Sequence, residues 1–259
     1  MDLRPHSVTP CSGTLRSGTP SAATPGAVPE LQGIELIVFD WDGTLMDSEA
    51  RIVASMQAAF ADIGRPSPPA AAVRAVIGLG LEEAMLRLPG VSSDEDLSEI
   101  IARYRHHYLS ANATPTPLFE GAMALIEALH QRGQLLAVAT GKSRRGLDQA
   151  LDQTGLRPWF HATRCAEETL SKPHPGMLHE LMDELGAKPA NTLMIGDTDY
   201  DVLMAHNAGV RALAVSYGTQ SAARLLEHKP LGCAPSIAVL SDWLLTLPLT
   251  RSTADGTQV

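Results

Sequence analysis

Cysteine is scarce in this chain. Its 259 residues hold only Cys11, Cys165 and Cys233, with no C-x-x-C pair and no metal-ligand spacing among them. A reducing, cytoplasmic compartment fits that usage best. No apolar run approaches the ~18 residues of a membrane span, so no membrane association is expected. Positive charge is also short. Twenty Lys and Arg stand against 29 Asp and Glu, a formal net charge of −9. That balance argues against a general nucleic-acid or anionic-membrane surface. The small basic cluster Arg103, Arg105, His106, His107 reads as a solvated helix face. The nine histidines are scattered, and His174 and His179, five apart, do not share a helical face. Residues 1–33 lack a periodic apolar pattern and are rich in Ser, Thr, Pro and Gly, which predicts a disordered or loosely attached tail. They hold no continuous apolar segment of the secretory-signal kind, and their prolines oppose an amphipathic transit helix despite Arg4 and Arg16.

What the chain does have is ordinary globular composition, 44% apolar and 19% charged. Short apolar runs recur at Ile34–Trp41, Leu135–Thr140, Thr192–Gly196 and Val210–Ser216, with a weaker one at His161–Cys165. Such runs suit strands buried on both faces of a parallel sheet. Helical patterns alternate with them: Glu120–Arg132, Ser143–Gly155, Pro175–Gly186, Asp199–Gly209 and Ala222–His228. The alternation predicts an α/β fold with a Rossmann-like parallel-sheet core. About 70 residues separate the first run from the next core helix and strand, far beyond the ~2–6 of a direct connection. That stretch has its own helical patterns at Glu49–Ile63, Pro69–Val76, Leu81–Leu88 and Asp94–Asn112. We read it as an inserted α-helical cap domain over residues 49–118. The core then comprises residues 34–48 and 119–245, and residues 246–259 form a C-terminal tail. Ligands of parallel sheets bind at the carboxyl ends of the strands, so an insert leaving there would roof the site and exclude water.

The strand ends carry carboxylates. The first delivers Asp40-Trp41-Asp42-Gly43-Thr44, the second Thr140-Gly141, and the fourth Gly196-Asp197-Thr198-Asp199-Tyr200-Asp201, while Lys172 precedes Pro173 on the same rim. Any one of these acids could cap a helix or a turn. Together they would repel one another strongly at low dielectric unless some were protonated or a cation sat among them. Oxygen ligands without Cys or His point to Mg²⁺. Asp201 could act through water or only orient loops. Asp199 is balanced between site and structure, and Asp47 and Ser48 read as helix-cap residues. Gly43 permits a tight turn off the strand.

These motifs resemble those of haloacid dehalogenase superfamily hydrolases of the helical-cap subgroup, over roughly residues 34–245. Asp40-Trp41-Asp42-Gly43-Thr44 matches D-x-D-G-T, Thr140 the Ser/Thr of the second motif, Lys172 the lysine of the third, and Gly196-Asp197-Thr198-x-x-Asp201 the acids of the fourth. Their order and the place of the insert match as well. The resemblance implies catalytic roles for Asp40 as nucleophile, Asp42 as acid and base, and Lys172 as a positive charge beside the phosphoryl group. It implies substrate binding by Thr140 and the backbone N–H of Gly141. It implies Mg²⁺ held by Asp40, Asp197 and the main-chain carbonyl of Asp42, with Asp201 a possible indirect ligand. The expected reaction is hydrolysis of a small phosphorylated metabolite through an aspartyl-phosphate, by a monomer or homodimer. Asp47-Ser48 and Gly78-Leu79-Gly80 are similar to the phosphoglycolate phosphatase group. The second motif departs from its simplest relatives, reading Thr140-Gly141-Lys142-Ser143-Arg144-Arg145. Lys142, Arg144 and Arg145 could contact an anionic substrate or be solvated charges at a helix start. The loop at Gly78 could dip into the site or simply break a helix. A phosphosugar mutase of the same fold and a non-catalytic binding module are the alternatives.

Overall fold

The computed structural model describes residues 31–91 and 93–247. The predicted N-terminal tail, apart from its last residues, and most of the C-terminal one lie outside that range. Six parallel strands form one sheet: β1 (Leu36–Phe39), β2 (Leu135–Thr140), β3 (Ala162–Cys165), β4 (Thr192–Gly196), β5 (Arg211–Val215) and β6 (Cys233–Ala234), in the order β3-β2-β1-β4-β5-β6. The apolar runs become strands because both faces of the sheet are covered. Ile37, Phe39, Leu136 and Val138 pack in the larger core, and Leu36, Val38, Ala137 and Met194 in the one on the opposite face. All four side chains of β1 are buried. β1 pairs with both β2 and β4, Phe39 lying opposite Val138 and Ile195. Residues just beyond those three therefore emerge side by side at one edge, where the strand order reverses direction.

Helices α5 (Ala122–Gln131), α6 (Arg144–Thr154), α7 (Gly176–Leu185), α8 (Asp199–Asn207), α9 (Ala222–Glu227) and α10 (Ile237–Leu244) belong to this unit. α6 starts where the Ser143 hydroxyl accepts a hydrogen bond from Gly146 N at 3.2 Å, satisfying one of the free N–H groups of the first turn. β6 and α10 were not expected from the sequence. β6 is two residues long and α10 carries no cue at its end beyond Ser236, so neither presents a long enough pattern.

The insert folds as four helices, α1 (Glu49–Asp62), α2 (Ala70–Arg74), α3 (Leu81–Leu86) and α4 (Asp94–His106). They share a separate apolar core built on Phe60, Met85, Ile100 and Val73. α4 has acids in its first turn and Arg103, Arg105 and His106 in its last, as the helix dipole favours. The single helix predicted over 94–112 instead changes at His107 to a π-helical turn ending at Ala111, closed by Asn112 N donating to His107 O at 2.9 Å. Asn112 is held there by Arg51, whose guanidinium donates to its carbonyl at 2.6 Å, and by Ser55, whose hydroxyl accepts from its side-chain amide at 3.1 Å. The two crossings between insert and sheet run side by side, Asp47 N donating to Pro117 O at 2.8 Å and Phe119 N to Leu45 O at 3.0 Å. Among the described residues no helix is long and apolar enough to cross a membrane.

Candidate active site

Asp40 is the first residue past β1, and its backbone N–H donates to Ile195 O at 2.8 Å, fixing it to β4. The chain then turns at once. Gly43 has φ +83°, and a Cβ there would collide with the Asp197 carboxylate. Glycine thus serves both the turn and the close approach of β4's acid to the first loop. Asp197 is pinned by Thr44, whose hydroxyl donates to Oδ1 at 3.0 Å, and by Thr219 N, which donates to Oδ2 at 2.7 Å.

Lys172 is fully buried between two acids, with Nζ 2.7 Å from Asp40 Oδ1 and 2.7 Å from Asp201 Oδ1. The other oxygen of Asp201 accepts from Thr198 N at 3.0 Å and from the Thr198 hydroxyl at 2.7 Å, an arrangement that also caps α8. Asp201 is therefore fully occupied, and it orients the lysine. Asp40 is different: Lys172 approaches Oδ1 off the line of a hydrogen bond, and Oδ2 has no donor among the described residues. An oxygen with free lone pairs at the floor of a cavity is what a nucleophile or metal ligand requires.

The electrostatics follow from this crowding. Oxygens of Asp40, Asp197 and Asp201 come within 4.8 Å of one another, all buried. Burial pushes the Asp40 carboxyl well above the usual range; Lys172 pulls it down, and the charges of Asp201 and Asp197 push it further up. Burial and the Asp201 charge raise Asp197 to about 6, against the hydrogen bonds from Thr219 and Thr44. Burial alone would lower Lys172, but Asp201 and Asp40 outweigh it and hold the ammonium charged. One lysine does not neutralise three acids. The donor-free oxygen of Asp40, the raised Asp197 and the all-oxygen donor set fit a hard divalent cation such as Mg²⁺.

Asp42 lies apart from that cluster and faces the insert. The Ser48 hydroxyl donates to its Oδ1 at 2.5 Å. Lys142 Nζ donates to both its oxygens, at 2.6 and 2.9 Å, and to the Tyr108 hydroxyl at 2.8 Å. Neither sequence reading of Lys142 describes this: the side chain is 7% exposed and its charge is spent on Asp42. Ser48 is the residue before α1 but makes no side-chain cap there, because its hydroxyl turns to Asp42. Tyr108 could not have been found from the sequence, since only the π-helical turn aims it at the sheet. Arg144 pairs with Glu168 at 2.7 Å and so is a structural cation. Asp199 is one too, in the opposite sign: it takes hydrogen bonds from Gln220 at 2.8 Å and Arg224 at 2.7 Å, away from the acid cluster.

Thr140 ends β2 beside Asp40. Its Oγ1 accepts from Lys142 N at 3.2 Å, which leaves its O–H with no acceptor among the described residues. At Gly141 a Cβ would meet the Gly78 carbonyl oxygen at 2.7 Å and the Leu79 carbonyl carbon at 2.8 Å. The Gly78-Leu79-Gly80 loop thus rests on the sheet edge, and Gly80 N donates to Ser171 Oγ at 2.8 Å. Asp40, Asp42, Thr140, Gly141 and Lys142 line one cavity together with Gly78, Leu79 and Tyr108 from the insert.

The sequence of residues 37–215 matches the family model of haloacid dehalogenase-like hydrolases. A probable phosphatase, IndB, of Dickeya dadantii is 35% identical over 75% of this chain and 86% of its own. Phosphoglycolate phosphatase 1 of Pseudomonas aeruginosa is 31% identical over 81% of this chain and 79% of its own. The solved structure of a haloacid dehalogenase-like family protein from Streptococcus pneumoniae superposes with a TM-score of 0.71 at 27% identity, covering 82% of this chain and 99% of that one. The chain therefore belongs to the haloacid dehalogenase-like hydrolases, as an enzyme of the phosphatase type.

Proposed function

We propose that the protein hydrolyses a small phosphorylated metabolite, of the size of phosphoglycolate, through an aspartyl-phosphate on Asp40. The observation that carries this reading is the donor-free Oδ2 of Asp40, held at the floor of a cavity with Asp42 lining the same space. Asp40 attacks phosphorus in line, forming the Asp40 Oδ–P bond as the ester P–O bond breaks. A proton taken up by Asp42 on substrate binding passes to the departing alkoxide, and Asp42 then takes one from the water that attacks the aspartyl-phosphate, releasing phosphate and restoring Asp40. Thr140, with its uncommitted O–H, and the Gly141 N–H donate to the phosphoryl oxygens, and Lys172 offsets their charge. Mg²⁺ would be held by Asp40, Asp197 and the main chain of Asp42, where it would cancel repulsion between carboxylate and phosphate. We take residues 49–118 as the cap that excludes water once substrate is bound.

Asp40→Asn tests the assignment. Turnover of p-nitrophenyl phosphate with Mg²⁺ should fall by at least about a thousandfold, since the residue forms the covalent bond. The circular dichroism spectrum should be unchanged. Activity near that of the unmodified protein would remove Asp40 as nucleophile.

A further inference from the structure

The cavity above the acids has a marked imbalance. Its floor is polar, but its walls are contributed by Met56, Val76, Ile77, Leu79, Leu81 and Leu109. Two cations reach it, Lys142 and Arg105. Lys142 is already engaged within the chain, its ammonium paired with both oxygens of Asp42 and donating to the Tyr108 hydroxyl. Arg105 sits at the rim with its side chain half exposed, facing Glu167 at 3.5 Å. From the insert comes the Tyr104 hydroxyl, which has no hydrogen-bond partner among the described residues and whose ring stacks on Tyr108 at 5.7 Å.

We infer that the substrate is the phosphate ester of an uncharged alcohol with an apolar or aromatic face, in place of the ester of a hydroxy acid. The inference rests on the phosphatase reading and refines its substrate. A leaving group bearing a carboxylate would lose hydration against aliphatic walls, with the Lys142 charge already paired to Asp42, and burying an unpaired charge is costly. An uncharged leaving group gains from the same burial. The Tyr104 ring, stacked on Tyr108, lines the same cavity, and its hydroxyl offers one hydrogen bond.

The test compares kcat/KM for butyl phosphate and benzyl phosphate with that for phosphoglycolate and the phosphate ester of 4-hydroxybutanoate, with Mg²⁺ present. The uncharged esters should be turned over at least about tenfold more efficiently, the discrimination expected from one buried charge without a partner. Arg105→Met should leave butyl phosphate turnover within about twofold. If the carboxylate esters are the better substrates and Arg105→Met removes that advantage, Arg105 reads a carboxylate and the inference falls while the phosphatase reading stands. If none of the esters and not even p-nitrophenyl phosphate is hydrolysed, the phosphatase reading fails and takes this inference with it.

Discussion

Lys142 turns its charge inward, and Asp42 is the beneficiary. An acid that must give and take a proton in one orientation needs its carboxylate fixed, and here Lys142 and Ser48 fix it from two sides. Hydrogen bonds to charged groups are worth about 1.5–3 kcal/mol. Lys142→Met should therefore lower kcat by roughly ten- to a hundredfold with the fold retained, and Lys142→Arg should recover part of that loss. Steady-state kinetics with p-nitrophenyl phosphate checks both. Unchanged kcat in Lys142→Met would show that Asp42 needs no such tether. The D-x-D-G-T acids, Thr140 and Lys172 were legible because each follows a strand or a proline-marked loop. The partner of Lys142 was not legible, because Asp42 and Tyr108 lie 100 and 34 residues away in the chain.

The decisive elements at the next scale are the loop after β2 and the insert's Gly78-Leu79-Gly80 segment. Their contact leaves no room for a side chain at Gly141, where a Cβ would press on the Gly78 and Leu79 backbone. Backbone cannot yield as a flexible side chain does. Gly141→Ala should lift that loop from the sheet edge, disturbing the phosphoryl cradle and exposing the insert. We expect kcat/KM to fall at least about tenfold, since displacements near 1 Å cost about that much or more. Limited proteolysis should also cut faster between residues 66 and 92. A Gly141→Ala protein with full activity and unchanged cleavage would mean that the loop contact is incidental. The helices of the insert were readable from their periodicity, whereas the π-helical turn after α4 was not. It depends on Asn112 meeting Arg51 and Ser55 across the insert, a tertiary contact with no local signature.

For the whole molecule the acid cluster ties protons to stability, and a bound metal would enter the same balance. Asp197 keeps its proton to about 6 in the folded chain, against about 4 in an unfolded one. Between those values the folded state binds more protons, so the metal-free protein loses stability as pH rises through that window. A cation competes with those protons and binds the deprotonated cluster best. Free Mg²⁺ at a hundred times its Kd should contribute about 2.7 kcal/mol, a rise in Tm of about 5–10 °C for a chain of this size. The rise should be large at pH 7.5, smaller at pH 5, and reversed by EDTA, which should also silence turnover. Thermal melts at the two pH values check this. A pH-independent Tm, or full activity in chelator, would separate the acids from metal binding.

By itself the sequence determined the parallel-sheet fold, the inserted helical unit and which acids and lysine gather at the strand ends. Those features are written in local patterns: apolar runs of strand length, helical periodicity, and acids placed where strands end. Only the tertiary structure decided which charges are free. Lys142, Arg144 and Asp199 look alike in the sequence as charges near motifs, yet each is committed to a partner brought by another segment. Among the described residues, Asp40 alone of the clustered acids keeps an oxygen without a donor. Whether a charge is spent or available depends on what lies within about 3 Å of it, and for buried groups that is settled by packing between segments distant in the chain.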